Sequence, residues 1–277
     1  MKRIIALLMA VMLMATLFVG CGEATDTASP DTASPDVAAS DFATVKENGK
    51  LVIGYTVYAP MNYTDDKGEF VGFDTEYAKL VCEELGVKAE FVEINWETKE
   101  VDLNAKKIDC IWNGFTITEE REEQLDFTTP YLRNKQVVVI RKADADKYKD
   151  VKSLAKAALT AEKGSAGETA IKDNADLKGA AYVESDLQTS ALMAVKAMTA
   201  DACVVDYTVA TSMAGQGDYA DLMMIDSLVL IDEQYGIGFR TGSDITAKVN
   251  EITQKFISDG TLEALAKKYE LETSLIK

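Results

Sequence analysis

Arg121 offers the most specific chemistry in the chain. It lies in Thr118-Glu119-Glu120-Arg121-Glu122-Glu123. A guanidinium can grip a carboxylate through two parallel charge-assisted bonds, which an ammonium cannot imitate. The competing reading is a solvated helix arginine among those glutamates. Asp206 closes the apolar run Ala202–Val205. Its carboxylate therefore stands at a strand's carboxyl end, where it can meet a cation or cap a helix over 207–214. Glu162-Lys163-Gly164-Ser165-Ala166-Gly167 reads as a loop entering a helix. The first N–H groups of a helix are free to receive an anion, although Ser165 can also serve as a plain cap. Gly114 permits close backbone approach, or marks an ordinary turn.

Other chemistries are closed off. The 277-residue chain has no histidine, so Ser-His-Asp and Cys-His catalysis and the commonest metal ligand are absent. No cofactor or metal is expected. The cysteines are Cys21, Cys82, Cys110 and Cys203, and none has C-x-x-C spacing. Cys82, Cys110 and Cys203 fall on apolar faces and read as small core hydrophobes, with one disulfide among them as the alternative. The net charge is −17. Losing Lys2 and Arg3 would make it −19. Such a surface repels phosphate backbones, so no nucleic-acid partner is expected.

The elements that must position these residues alternate between strand and helix from about residue 42. Strands are expected at Lys50–Tyr55, Phe70–Gly72, Glu90–Ile94, Ile108–Trp112, Gln136–Arg141, 157–161, Ala181–Val183, Ala202–Val205, 222–225 and 235–239. Between them lie a helix capped by Asp74 and closed by Gly86, a helix over 97–106, and a short one after Thr118. Further helices start at Gly167 and cover 187–199, 207–214, 243–258 and 260–269. In the first helix Ala78, Val81, Cys82 and Leu85 recur at helical spacing. This alternation predicts an α/β fold with mostly parallel sheets and ligands at the carboxyl ends of strands.

The N-terminus reads as an address. Lys2 and Arg3 precede an apolar run, Ile4–Val19, and then Gly20-Cys21. This is a signal-peptide pattern over 1–20, with a single membrane helix as the alternative. Leu17-Phe18-Val19-Gly20-Cys21 resembles the bacterial lipobox, with Phe18 in place of the usual Leu. The pattern implies lipidation of Cys21, and with it a lipid anchor on the outer face of the cell membrane. Residues 21–41 carry T-A-S-P-D twice and read as a disordered tether.

Several stretches together resemble the extracellular solute-binding proteins of family 3, the polar amino-acid receptors of ABC importers. They are Gly54–Tyr63, Gly68–Asp74, Lys106–Arg121, Asp126–Tyr131, Glu162–Gly167, Asp201–Asp206 and Gln234–Arg240. They occur in the family's order and spacing from about 45 to 272. The resemblance implies a two-lobed periplasmic-binding-protein-like (type II) fold, with the ligand cleft between lobes joined by two hinge strands. Lobe 1 is expected to combine 42–135 with 236–277, and lobe 2 to cover 136–235. The crossovers are placed near Asn134–Val137 and Ile231–Tyr235.

The resemblance also gives the residues roles. Arg121 is to take the ligand carboxylate, together with Gly114, Thr116, Ser165 and Ala166. Asp206 is to take the ammonium. Tyr58 and Trp96 match wall positions, with core packing as their alternative. Glu162 matches a position beside the ligand side chain, and an acid there suits an amide or a cationic side chain. Lys163 could instead neutralise it. The Gly54–Tyr58 segment is one residue shorter than in the family pattern and lacks its acid. The partners implied are a free polar amino acid and an ABC importer permease, with the protein acting as a monomer. Two other readings stand beside this one. One is a dehydratase of the same fold, with Glu162 as general acid. The other is a ligand-sensing input protein acting through a partner.

Overall fold

The computed structural model describes residues 40–277. The expected signal peptide, Cys21 and most of the tether lie outside these residues. The end of the tether is ordered. Ser40 caps α1 (Asp41–Asn48) by accepting from Ala43 N at 3.0 Å, and Asp41 pairs with Arg240 at 3.0 Å. The folded part therefore starts at the cap, two residues earlier than expected.

The chain continues through β1 (Lys50–Tyr55), β2 (Tyr63–Thr64), β3 (Phe70–Val71), α2 (Phe73–Leu85), β4 (Lys88–Glu93), a 3-10 turn at Trp96–Thr98 and α3 (Lys99–Asn104). Then come β5 (Cys110–Thr116), α4 (Glu119–Glu122), β6 (Leu125–Phe127) and β7 (Leu132–Arg141). The second half holds β8 (Ala158–Glu162), α5 (Ala166–Asp173), β9 (Ala181–Ser185), α6 (Gln188–Lys196), β10 (Ala202–Asp206) and α7 (Tyr207–Met213). β11 (Leu222–Arg240), α8 (Ile245–Ser258) and α9 (Thr261–Lys268) finish the chain.

The strand order is β4-β1-β5-β11-β7-β10-β8-β9, with β6 also on β11. Pairing is parallel for β1 with β4 and β5, and for β8 with β9 and β10. It is antiparallel wherever β7 or β11 takes part. Two α/β lobes thus hang on two long strands. β11 is one strand of 19 residues where two separate ones were expected. β7 pairs with it at Leu222–Met224, at Val229 and again over Ile231–Tyr235, with register shifts between Met224 and Ile231 absorbing the mismatch. At the crossing, Gln136 faces Ile231 and Leu132 faces Tyr235.

Successive residues on these strands feed opposite faces of the sheet. Cys110 and Trp112 enter one core, and Ile111 and Phe115 another. Val137 and Val139 point away from Val138 and Ile140 in the same way. Strands covered on both sides are therefore continuously apolar, and each such side chain contributes about 1.5–3 kcal/mol by burial. Cys82, Cys110 and Cys203 are buried free thiols, so the disulfide alternative is excluded for these three. Among the described residues no helix is long and apolar enough to cross a membrane.

Asp74 does not cap α2. That place is taken by Gly72, and Asp74 lies within the helix, fully buried. Its carboxylate turns inward to accept from Gly114 N at 2.6 Å and from the Tyr131 hydroxyl at 2.9 Å. Burial raises its pKa to about 7, although both hydrogen bonds act to lower it. The helix expected at 187–199 is shorter, ending at Lys196. That expected over 97–106 is a 3-10 turn followed by only six helical residues.

Candidate functional site

The site forms where β5, β8 and β10 end and the crossing of β7 and β11 passes beneath them. Tyr58, Trp96, Gly114, Thr116, Arg121, Glu162, Ser165, Ala166 and Asp206 all line one small cavity, joined by Asn113 and Gln188. The cavity measures about 10 Å³, room for about one water molecule. A larger recess of about 560 Å³ adjoins it and shares Thr116, Arg121 and Ala166. The structure therefore represents a closed cleft with an outer mouth.

Arg121 is positioned from the helix side. Thr118 caps α4 by accepting from Arg121 N at 3.2 Å. The guanidinium lies over the Phe115 ring, 4.6 Å from its centroid. It donates to Thr116 O at 2.7 Å and to Gly164 O at 3.2 Å. The solvated reading is thus excluded: this arginine is half-buried and spans the cleft. Lys99 reaches the same carbonyl. Its Nζ donates to Gly164 O at 3.1 Å and Trp96 O at 3.0 Å, and meets Glu100 at 3.1 Å. Those three acceptors use its three N–H groups. Burial lowers its pKa to about 8.

Asp206 does not cap α7, for its side chain makes no cap hydrogen bond. Three amides hold the carboxylate instead. Gln188 Nε2 donates to Oδ2 at 2.6 Å, and Asn134 Nδ2 to Oδ1 at 3.1 Å. Gln136 Nε2 donates to Oδ1 as well. Asn134 and Gln136 also donate to Glu233 Oε1, at 2.6 and 2.9 Å. Burial pushes both carboxyls up, Glu233 to about 8. Asn134, Gln136, Gln188 and Glu233 were not read from the sequence. A signal existed for two of them: Asn134 and Gln136 alternate with Arg133 and Lys135 just before the apolar run Val137–Ile140, so they share one face of the strand.

Gly114 is fixed by geometry. Its φ is +53°, and a Cβ there would lie 1.8 Å from the Tyr58 hydroxyl. Tyr58 itself donates to Asn113 O at 3.3 Å. Trp96 packs edge-on against Phe115 at 5.5 Å. Both rings are buried, so they serve as core and as cavity wall at once. Ser165 caps α5 by accepting from Glu168 N at 3.2 Å, and α5 starts one residue before the expected Gly167.

Glu162 is 2% exposed, and its Oε1 has no hydrogen-bond partner. Burial, with Asp206 adding and Lys99 opposing, raises its pKa to about 8. Lys163 does not neutralise it. That side chain turns outward to Glu184 at 2.9 Å and, across the cleft, to Glu97 at 3.3 Å.

The profile of the bacterial extracellular solute-binding proteins, family 3, matches residues 51–272. The chain belongs to this family. It is similar to the ABC transporter glutamine-binding protein GlnH of Bacillus subtilis, 29% identical over 276 residues and covering 97% of each chain. It is also similar to the L-cystine-binding protein TcyJ of Escherichia coli, 26% identical over 227 residues, 81% of this chain and 84% of the relative. A solved amino-acid ABC transporter substrate-binding protein from Streptococcus pneumoniae, bound to L-arginine, superposes with a TM-score of 0.76 at 30% identity. It covers 86% of this chain and 99% of its own. These family 3 neighbours are two-lobed amino-acid-binding proteins, as the resemblance implied.

Proposed function

We propose that this protein is the extracytoplasmic substrate-binding component of an amino-acid ABC importer. It captures a free α-amino acid with a polar side chain by hinge closure and presents it to a permease. One observation carries the reading: Arg121 and Asp206 line the same cavity beside the first turn of α5. A zwitterion needs a planar cation and free N–H groups for its carboxylate, and an anion for its ammonium two bonds away. Asp206 accepts three amide hydrogen bonds, which leaves one of about four lone-pair sites for the ligand. Lobe 1 comprises 42–135 and 236–277, and lobe 2 comprises 136–235, with rotation at the β7–β11 crossing. Cavity and mouth lie between them, so opening admits the ligand and closure buries it.

The relatives' names describe binding and transport, and we read this chain as a non-catalytic monomer. Cys21 is its lipid attachment point, and 22–39 its tether to the outer face of the membrane. The test is a thermal-shift screen of the purified protein against the twenty amino acids. A ligand at 100 times its Kd should add about 2.7 kcal/mol of stability. No shift with any of them would remove the reading. A dehydratase would instead convert a cyclic prephenate-like acid to product, which a direct assay detects.

A further inference from the structure

Glu162 is a buried carboxyl that forms no ion pair among the described residues, and the charge of Lys99 reaches it only through space. Lys99 has spent its three N–H groups on Trp96, Gly164 and Glu100. Lys163 points away to Glu97 and Glu184. Arg121 is directed at Thr116 O and Gly164 O. Glu162 nevertheless lines the inner cavity, with one oxygen unpartnered. A fixed acid in such a place is costly unless a donor arrives with the ligand.

The outer mouth has a net excess of the same sign, with five acids against Lys99 and Arg121. Its lining includes Glu120, Asp232 and Glu233, and none of them forms an ion pair among the described residues. The two mouth acids that do, Glu97 and Glu100, are taken by Lys163 and Lys99. A cleft with an excess of one sign of charge concentrates the opposite sign.

We infer that the ligand is an α-amino acid with a second positive group on its side chain, and that Glu162 is the counter-charge for that group. This deepens the proposed function and rests on it. Arg121 and Asp206 take the zwitterion that all α-amino acids share, and their charges cancel against it. Glu162 is then the surplus. An amide side chain would supply a hydrogen bond but no charge to draw the proton off the carboxyl, and an acidic one would add repulsion. A diamino or guanidino acid satisfies both needs. Burial raises the pKa of Glu162 to about 8, and a neighbouring cation acts in the opposite direction.

The experiment uses purified protein freed of carried-over ligand by unfolding and refolding, titrated calorimetrically with arginine, lysine, citrulline and glutamine. Citrulline has the shape of arginine without its charge. Arginine or lysine should bind at least ~30-fold tighter than citrulline and glutamine, the scale of one buried charge pair. In Glu162→Gln that ratio should fall to within about threefold. Equal or tighter binding of citrulline or glutamine by the unaltered protein overturns the inference while leaving the proposed function standing. A ratio unchanged in Glu162→Gln overturns the assignment to Glu162. Binding of none of the four or of any other amino acid overturns both. The ratio in the unaltered protein decides the ligand class even if the variant folds poorly.

Discussion

Gln188 and Asp206 hold each other twice. Gln188 Nε2 donates to Asp206 Oδ2 at 2.6 Å, and Asp206 N donates to Gln188 Oε1 at 2.9 Å. The side chain at the start of α6 thereby fixes both the carboxylate and the backbone at the end of β10. Gln188→Leu leaves a buried N–H and a buried carboxylate oxygen with fewer partners. It should cost about 1–3 kcal/mol, read by chemical denaturation of the ligand-free protein. Amino-acid affinity should fall with it. An undiminished unfolding midpoint would show that water replaces the amide.

Gly114 and Tyr58 make a second coupled pair. Gly114→Ala combines a positive φ with a Cβ 1.8 Å from the Tyr58 hydroxyl. We expect a loss of about 1–3 kcal/mol and a collapse of ligand affinity. Adding Tyr58→Phe removes the closest contact and should recover part of the loss, since the Tyr235 ring remains 3.0 Å away. Strict additivity in the double-mutant cycle would disprove the contact.

The buried carboxyls set the pH dependence. Glu162 moves from 4.5 to about 8 on folding, so between those values the folded state holds a proton that the unfolded chain has lost. Its stabilising contribution is full below pH 4.5 and is lost as pH rises toward 8, with a slope of about 1.4 kcal/mol per pH unit in that window. Asp74 acts in the same direction between 3.8 and about 7. Lys99 acts oppositely, adding stability only as pH rises from about 8 to 10.5. Glu162→Gln should therefore gain stability over the unaltered protein at pH 8 and show no such gain at pH 4. Parallel denaturation profiles for the two proteins would contradict this.

Arg121 and Asp206 are the zwitterion clamp. Arg121→Ala should weaken every amino-acid ligand by at least ~30-fold, and Arg121→Lys should not restore it, because the fork is lost. Asp206→Ala should abolish the thermal shift as well. Circular dichroism of both variants without ligand should show a folded protein. Unaltered binding in either variant would take that residue out of the clamp.

How much of this could be seen in the chain alone varied with how local each cause was. The α/β alternation followed from periodicity. The polar positions that matter fall inside short motifs whose order resembles the family's, so Arg121, Glu162 and Asp206 stand out from the chain alone. What stayed hidden depended on partners far away in sequence. Asp74 looked like a cap because local rules place an acid at a helix start. Its carboxylate found Gly114, forty residues on, only once β5 lay beside α2. The continuity of β11 was invisible because the stretch Val229–Tyr235 is held extended by pairing with β7, not by its own composition.

The sequence by itself determined the element types, the absence of histidine chemistry and the residues that could grip a zwitterion. The first two follow from local spacing and composition, and the third from side-chain chemistry together with the resemblance to the family's motifs. Tertiary structure alone decided that Asn134, Gln136 and Gln188 converge on Asp206, that the N–H groups of Lys99 and Lys163 are directed elsewhere, and that Glu162 is left without an ion pair among the described residues. A hydrogen-bond partner is a matter of position in space, and burial sets the cost of lacking one; neither is written in the order of residues.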